Sequence, residues 1–378
     1  MKKELFFQIH KWLGILSGLI VFVVCITGCI YTFYDELKLQ FYPDRYLIET
    51  PTDNSTPLPL SNLTKLAQAA LPANEKITRV DLYPASNRTW IFRAQKTDEA
   101  AFGYGRYQQY YKRVFLDPYT GNIRFVENTK YEFFQVVLQL HMNLLLGKKM
   151  GALLVNIATS LFLVLLLTGM VLWWPRNWKW KNLRRAIWLN TSVKWKRLVY
   201  DLHNVSGFYS LFFAIILSFT GLVFGFESVK KNYVRFFNQF SDATLKKEIQ
   251  PQTIPGVFSD PLDNALYFTL ANNSQADMMS IRLRNSNQNQ HDIQVRLKPN
   301  RTGSFRWYYF DGSGTQIKEI RSGSTLALGD RLVTLNFDLH TGSIGGIPTR
   351  ILAFIVSLIG AALPVTGYIM WWNKRKKK

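Results

Sequence analysis

The chain lacks most of what soluble enzymes rely on. Cysteine occurs only as Cys25 and Cys29, and no Cys-x-x-Cys-His stretch exists, which excludes covalent attachment of a c-type haem. The two thiols share one helical face at i, i+4 spacing inside an apolar run, so they are read as small packing residues, not as a secretory disulfide. There is no Gly-x-Gly-x-x-Gly turn, Walker A sequence, Gly-x-Ser-x-Gly elbow or His-Glu-x-x-His helix. The chain therefore shows no signature for binding its own flavin, nicotinamide or nucleotide, for a nucleophilic serine or for a hydrolytic zinc. Acidic residues are in deficit, 25 against 46 Lys and Arg. None falls inside the four apolar runs, which argues against a proton- or ion-coupled carrier.

Those four runs, near 13–34, 151–174, 205–226 and 351–372, are what the chain has in quantity. Each is close to the roughly 20 residues a helix needs to cross a bilayer. The basic residues orient them. Three lie in the first eleven positions, eight in the stretch 175–202 and five in 373–378, opposed only by Glu4 and Asp201. The positive-inside rule then places both termini and the connector 175–204 in the cytoplasm. These short segments absorb most of the +21 net charge, so no nucleic-acid partner is expected. The first run is too long for a signal peptide, and residues 31–37 offer no small-x-small cleavage site, so it is read as an anchor. The expected order is a first segment with its span at 1–34, an extracytoplasmic domain at 35–150 and a second span at 151–174. After the connector 175–204 come a third span at 205–226, a second extracytoplasmic domain at 227–349, and the fourth span with its basic tail at 350–378.

Laid side by side, the spans show a duplication. His10 precedes Gly14 and Thr27-Gly28, and His203 precedes Gly207 and Thr220-Gly221 at the same spacing. Leu140-His141, Gly147, Thr168-Gly169 and Trp173-Trp174 repeat as Leu339-His340, Gly346, Thr366-Gly367 and Trp371-Trp372. The Trp pairs fall at the level where indoles prefer to sit in a membrane, and Thr-Gly is read as a small-residue site for helix packing. In the first loop a helix at 60–71 precedes strands at 77–82, 90–94 and 113–116 and a turn at 117–121; the second has strands at 293–297 and 306–310 and a turn at 311–314. The fold expected is a four-helix transmembrane bundle carrying two α+β extracytoplasmic domains.

Only five histidines exist, and four of them, His10, His141, His203 and His340, open the repeats. Two imidazoles from facing helices can take both axial positions of a haem iron. Pairing His10 with His203 and His141 with His340 gives two non-covalent b-type haem sites, one near each membrane surface, separated by about 27 Å of helix. His291 has no repeat partner and is read as a surface residue. The aromatic and basic stretch 102–113 is read as a hairpin edge in preference to a ligand dock.

These motifs resemble the PepSY-associated transmembrane helix family. The likeness is carried by Ile9-His10-Lys11-Trp12-Leu13-Gly14 with Thr27-Gly28, by Leu339-His340-Thr341-Gly342, and by the Thr-Gly-x-x-x-Trp-Trp endings. A PepSY-like first loop closing on Leu116-Asp117-Pro118-Tyr119-Thr120-Gly121 adds to it. The resemblance implies a multi-pass inner-membrane protein of a Gram-negative bacterium, holding two haem b groups through the four histidines and reducing a ferric chelate such as a siderophore in the periplasm. It singles out no catalytic side chain, and the electron donor would be a separate cytoplasmic or membrane molecule. Two other readings stand beside it: a non-enzymatic PepSY binding module anchored in the bilayer, and a transporter for a siderophore or metal complex.

Overall fold

The computed structural model describes every residue except 1, 52–55, 176, 242–251, 284–289, 300 and 376–378. Among the described residues four helices are long and apolar enough to cross a membrane: Lys2–Thr32, Lys148–Trp173, Trp195–Gly225 and Ile347–Arg375. Each packs on two neighbours, so that spans one and three, and spans two and four, face each other across the bundle. The first and third helices begin well before their apolar runs, because no Gly or Pro interrupts 2–13 or 195–206. His10 and His203 therefore lie within these helices and not at the edge of a loop. The chain termini mark one end of the bundle, and the long loops fold at the other.

Among the described residues those loops build one antiparallel sheet of nine strands in the order β4-β3-β2-β1-β6-β7-β8-β9-β5. The first loop supplies β1 (Ile77–Leu82), β2 (Trp90–Thr97), β3 (Gln108–Leu116) and β4 (Ile123–Glu127). The second supplies β5 (Gln252–Thr253), β6 (Met278–Arg282), β7 (Gln290–Arg296), β8 (Phe305–Asp311) and β9 (Gln316–Ser322). The two halves join where β1 pairs with β6, with Val80 opposite Ile281 and Leu82 opposite Met279. What the sequence suggests as two modules is therefore one continuous sheet. Its core is shared as well: Val80, Trp90, Phe92 and Val114 pack in one cluster with Met279, Ile281, Ile293 and Phe310. Period-2 alternation sends Ile91 and Phe115 to the opposite face, against Tyr46 and Tyr83. Helices Leu60–Ala69 and Pro261–Asn272 cover the core face, and burial of each large apolar side chain there contributes about 1.5–3 kcal/mol.

Two short helices lead from the sheet back to the membrane, Phe133–Asn143 and Leu328–His340, and each carries one histidine in its last turn. The Glu132 carboxylate caps the first of them, accepting from the backbone N–H groups of Phe134 (3.0 Å) and Gln135 (2.9 Å). That helix stops at Leu144 and Leu145, which take left-handed φ values of 53° and 59°. The sheet hairpin holds this unfavourable turn, as the amides of Gly103 and Tyr104 donate to the carbonyls of Leu146 and Leu145. In the second copy the corresponding turn uses Gly342, at φ 74°. Spans one and four are tied at Arg350, almost fully buried, which donates to the Thr32 carbonyl and in a bidentate pair to Glu36, in the helix Tyr34–Phe41 that follows span one, at 2.5 and 2.6 Å.

Candidate functional site

The four repeat histidines are held in the same way. His10 donates from Nδ1 to Thr168 Oγ1 (3.0 Å), whose own hydroxyl donates to the Val164 carbonyl one turn back. His203 donates likewise to Thr366 Oγ1 (2.8 Å). At the sheet end His141 Nδ1 meets the Val24 carbonyl (2.9 Å) and Thr27 Oγ1 (3.1 Å), and His340 Nδ1 meets the Leu217 carbonyl (3.1 Å) and Thr220 Oγ1 (2.9 Å). The glycine after each threonine makes room for the ring. A Cβ at Gly169, Gly28, Gly221 or Gly367 would stand 3.2, 3.4, 3.4 or 3.7 Å from the Cε1 of His10, His141, His340 or His203. Thr-Gly, assigned to helix packing from the sequence, thus seats an imidazole at all four places. The available signal was numerical: of the seven Thr-Gly pairs in the chain, the four that fall inside the spans equal the repeat histidines in number.

Seating is reciprocal within each half. Span two holds the histidine of span one, and span one holds the histidine that precedes span two; spans three and four do the same. The histidines meet between the halves. His10 and His203 have ring centroids 6.2 Å apart at an interplanar angle of 86°, and His141 and His340 are 6.1 Å apart at 63°. With Nδ1 committed to a hydroxyl or carbonyl acceptor, Nε2 is the nitrogen left for a ligand, the usual arrangement around metal-binding histidines. A metal–imidazole bond is about 2 Å, and a five-membered ring with bonds of about 1.33 Å has its centroid about 1.1 Å from each nitrogen. One ion gripped from opposite sides by two imidazoles therefore sets the centroids about 6.3 Å apart. Both couples are at that spacing. The seventeen residues from His10 to Thr27, which seats His141, put the two levels about 26 Å apart along the bundle.

Among the described residues no group of three or more His, Cys, Asp and Glu stands ready for a bare metal ion. A pair of trans imidazoles suits an ion whose remaining positions are filled by a planar ligand. The terminal-end couple faces a cavity of about 620 Å³ between the four spans, with Gly14, Gly169, Gly207 and Gly367 along its walls. At the sheet end the Phe224 ring lies 5.7 Å from that of His340, and the Asn336 amide donates to the Thr220 carbonyl, fixing the His340 helix against span three. His291 lies elsewhere, on β7 opposite Phe310, and the polar run before it, 285–289, is outside the described residues. The stretch 102–113 forms a helical turn, Tyr104–Tyr107, and most of β3, consistent with a hairpin edge.

A protein-family model described as a PepSY-associated TM region matches residues 7–374. A search of curated proteins finds none that matches.

Proposed function

The chain belongs to the PepSY-associated TM family, and from that premise and the two histidine couples we propose that it binds two b-type haems and conducts electrons across a membrane to a ferric chelate. The observation that carries the proposal is the pair of centroid spacings, 6.2 and 6.1 Å, on rings whose Nδ1 atoms are already engaged. When bound, each haem supplies a one-electron Fe(III)/Fe(II) couple whose potential is tuned by its axial ligands and their partners. The donor set suits it. Two neutral imidazoles add no charge, the threonine hydroxyls and helix carbonyls hold each ring in one tautomer, and the apolar spans exclude water.

By the positive-inside rule the basic termini and connector favour a cytoplasmic terminal end, which, with the family membership, supports reading the chain as a bacterial inner-membrane protein with its sheet in the periplasm. His10 and His203 would serve the haem that faces a cytoplasmic or membrane electron donor. His141 and His340 would serve the one beneath the sheet, where the ferric chelate is the substrate. One electron converts its Fe(III) to Fe(II), which hard oxygen donors hold less firmly, so the iron is released.

An absorption spectrum of the detergent-purified protein before and after dithionite tests the reading. The expected result is a Soret band with sharp reduced α and β bands at two haems per chain, and His203→Ala should remove about half. A folded but colourless preparation, made with haem supplied, would sink it and favour a membrane-anchored PepSY binding module.

A further inference from the structure

The terminal-end cavity is polarised along its length. Its deep wall is carbon, from Val21, Phe162, Leu166 and Leu211, while its mouth carries Lys11, Lys196 and Lys374, and none of its lining residues is acidic. Lys11 follows His10 directly. Lys196 precedes His203 by seven residues, and Lys374 follows Gly367, which seats His203, by the same number, so both lie about 10 Å beyond the histidine level toward the terminal end. Lys374 Nζ lies 4.6 Å from the Phe7 ring centroid, while Lys11 Nζ is 5.8 Å from it, 4.7 Å from the Trp12 ring and donates to Gln8 Oε1 at 2.5 Å.

Membrane topology accounts for basic residues at this level in general but not for three of them bordering one cavity. Lys179, Lys181, Arg184 and Arg185 serve topology equally well without lining it. Like charges gathered at the edge of an apolar slot repel one another until an anion joins them. The occupant such a slot fits is a flat apolar molecule bearing carboxylates along one edge.

We propose that Lys11, Lys196 and Lys374 anchor the two propionate carboxylates of the haem gripped by His10 and His203, holding it edge-on with its acid edge toward the terminal end. This rests on the di-haem reading above. The apolar edge then meets Phe162 and Leu211, and the three ammonium groups balance two carboxylates at the mouth. The same cations favour the reduced iron, which carries one positive charge fewer, so they raise the potential of this haem.

The test compares haem b with its dimethyl ester, which keeps the ring and iron and removes both negative charges. A His340→Ala chain, retaining the terminal-end couple alone, is expressed under haem limitation and reconstituted with each. Haem loss to an excess of a scavenging apoprotein is then timed. Three partly exposed ion pairs, counted near the middle of the range for such interactions, predict release of the ester roughly tenfold faster than of haem b. Adding Lys11→Gln, Lys196→Gln and Lys374→Gln should abolish the difference and lower the midpoint potential, while Arg at the three positions preserves both. Equal release of acid and ester from the unsubstituted lysines, with an intact bis-imidazole spectrum, overturns the anchor and leaves the di-haem reading standing. A chain that takes up neither compound overturns both.

Discussion

Alanine at Gly169 and at Gly367 should behave differently although the two positions are repeat equivalents that seat the two halves of one couple. At Gly169 a Cβ would stand 3.2 Å from His10 Cε1, and at Gly367 3.7 Å from His203 Cε1. Carbon contacts are most favourable at about 3.5–4.0 Å, so alanine at 367 gains an ordinary contact while alanine at 169 must move a ring by at least about 0.3 Å. His10 cannot yield freely, because its Nδ1 is bonded to Thr168 at 3.0 Å and its ring already sits at the spacing the couple needs. Overpacking costs about 1–3 kcal/mol; the low end corresponds to roughly fivefold weaker retention of the haem proposed for the terminal-end couple. Alanine also gains about 1 kcal/mol over glycine in helix propensity, so overall thermal stability should hold or rise in both variants. Haem release and the low-spin signal of the ferric form separate the two effects. Gly169→Ala should release its haem about fivefold faster or gain a high-spin fraction, with Gly367→Ala close to wild type. If alanine at 367 is as harmful as at 169, or if neither changes release, the glycines are not there for the rings.

Thr220→Val removes one acceptor from His340 but leaves the Leu217 carbonyl at 3.1 Å, so haem loss from the sheet-end couple should rise by less than about tenfold, with no change at the other couple. Asp81, fully buried on β1, is pushed up by burial but pulled down further by Arg93 and Arg79, so its carboxyl ends below the usual carboxylate range. Its stabilisation is complete above the unfolded pKa of about 4 and is lost as pH falls from there through the lower folded value. Asp81→Asn should flatten that acid limb in a denaturation series and cost about 3 kcal/mol at neutral pH, the low end for a broken buried pair, because the Arg79 and Arg93 side chains are both partly exposed. Arg350→Leu orphans the buried Thr32 carbonyl and should lower the melting temperature by the equivalent of about 1–3 kcal/mol, whereas Glu36→Gln, at an exposed carboxylate, should cost less.

The histidine couples were legible because duplication writes the same spacing twice, and a residue type with only five members stands out when four of them recur in register. The strand at 77–82 was legible from alternation alone and matches β1 residue for residue. The role of Thr-Gly was not legible. Reciprocal seating depends on antiparallel packing of spans one and two, which brings Thr168 beside His10 and Thr27 beside His141, and one-dimensional spacing does not encode that pairing. Union of the two loops into one sheet was hidden for a similar reason. Strands β1 and β6 belong to different loops, and hydrophobic alternation marks a strand without naming its neighbour. The short helices carrying His141 and His340 bury polar residues, Gln135, Gln139 and Asn143 on the first and Asn336 and Asp338 on the second, which breaks the apolar helical period that would have marked them.

Symmetry joins these features. The order β4-β3-β2-β1 followed by β6-β7-β8-β9 is what a two-fold operation between the halves produces, with the axis passing between the antiparallel pair β1 and β6. The same operation carries His10 onto His203 and His141 onto His340, so both couples must lie astride that axis, and the near-equality of 6.2 and 6.1 Å follows from it. Neither half owns a complete couple. Each contributes one imidazole to each level, and the spacing is set by packing of span one on span four and span two on span three, together with the β1–β6 ladder. A ligand on such an axis must present equivalent faces to two equivalent donors. A porphyrin standing along the bundle does so, and once there it links the halves at both ends, so removal of either histidine of a couple should empty that level while the seating in the opposite half stays intact.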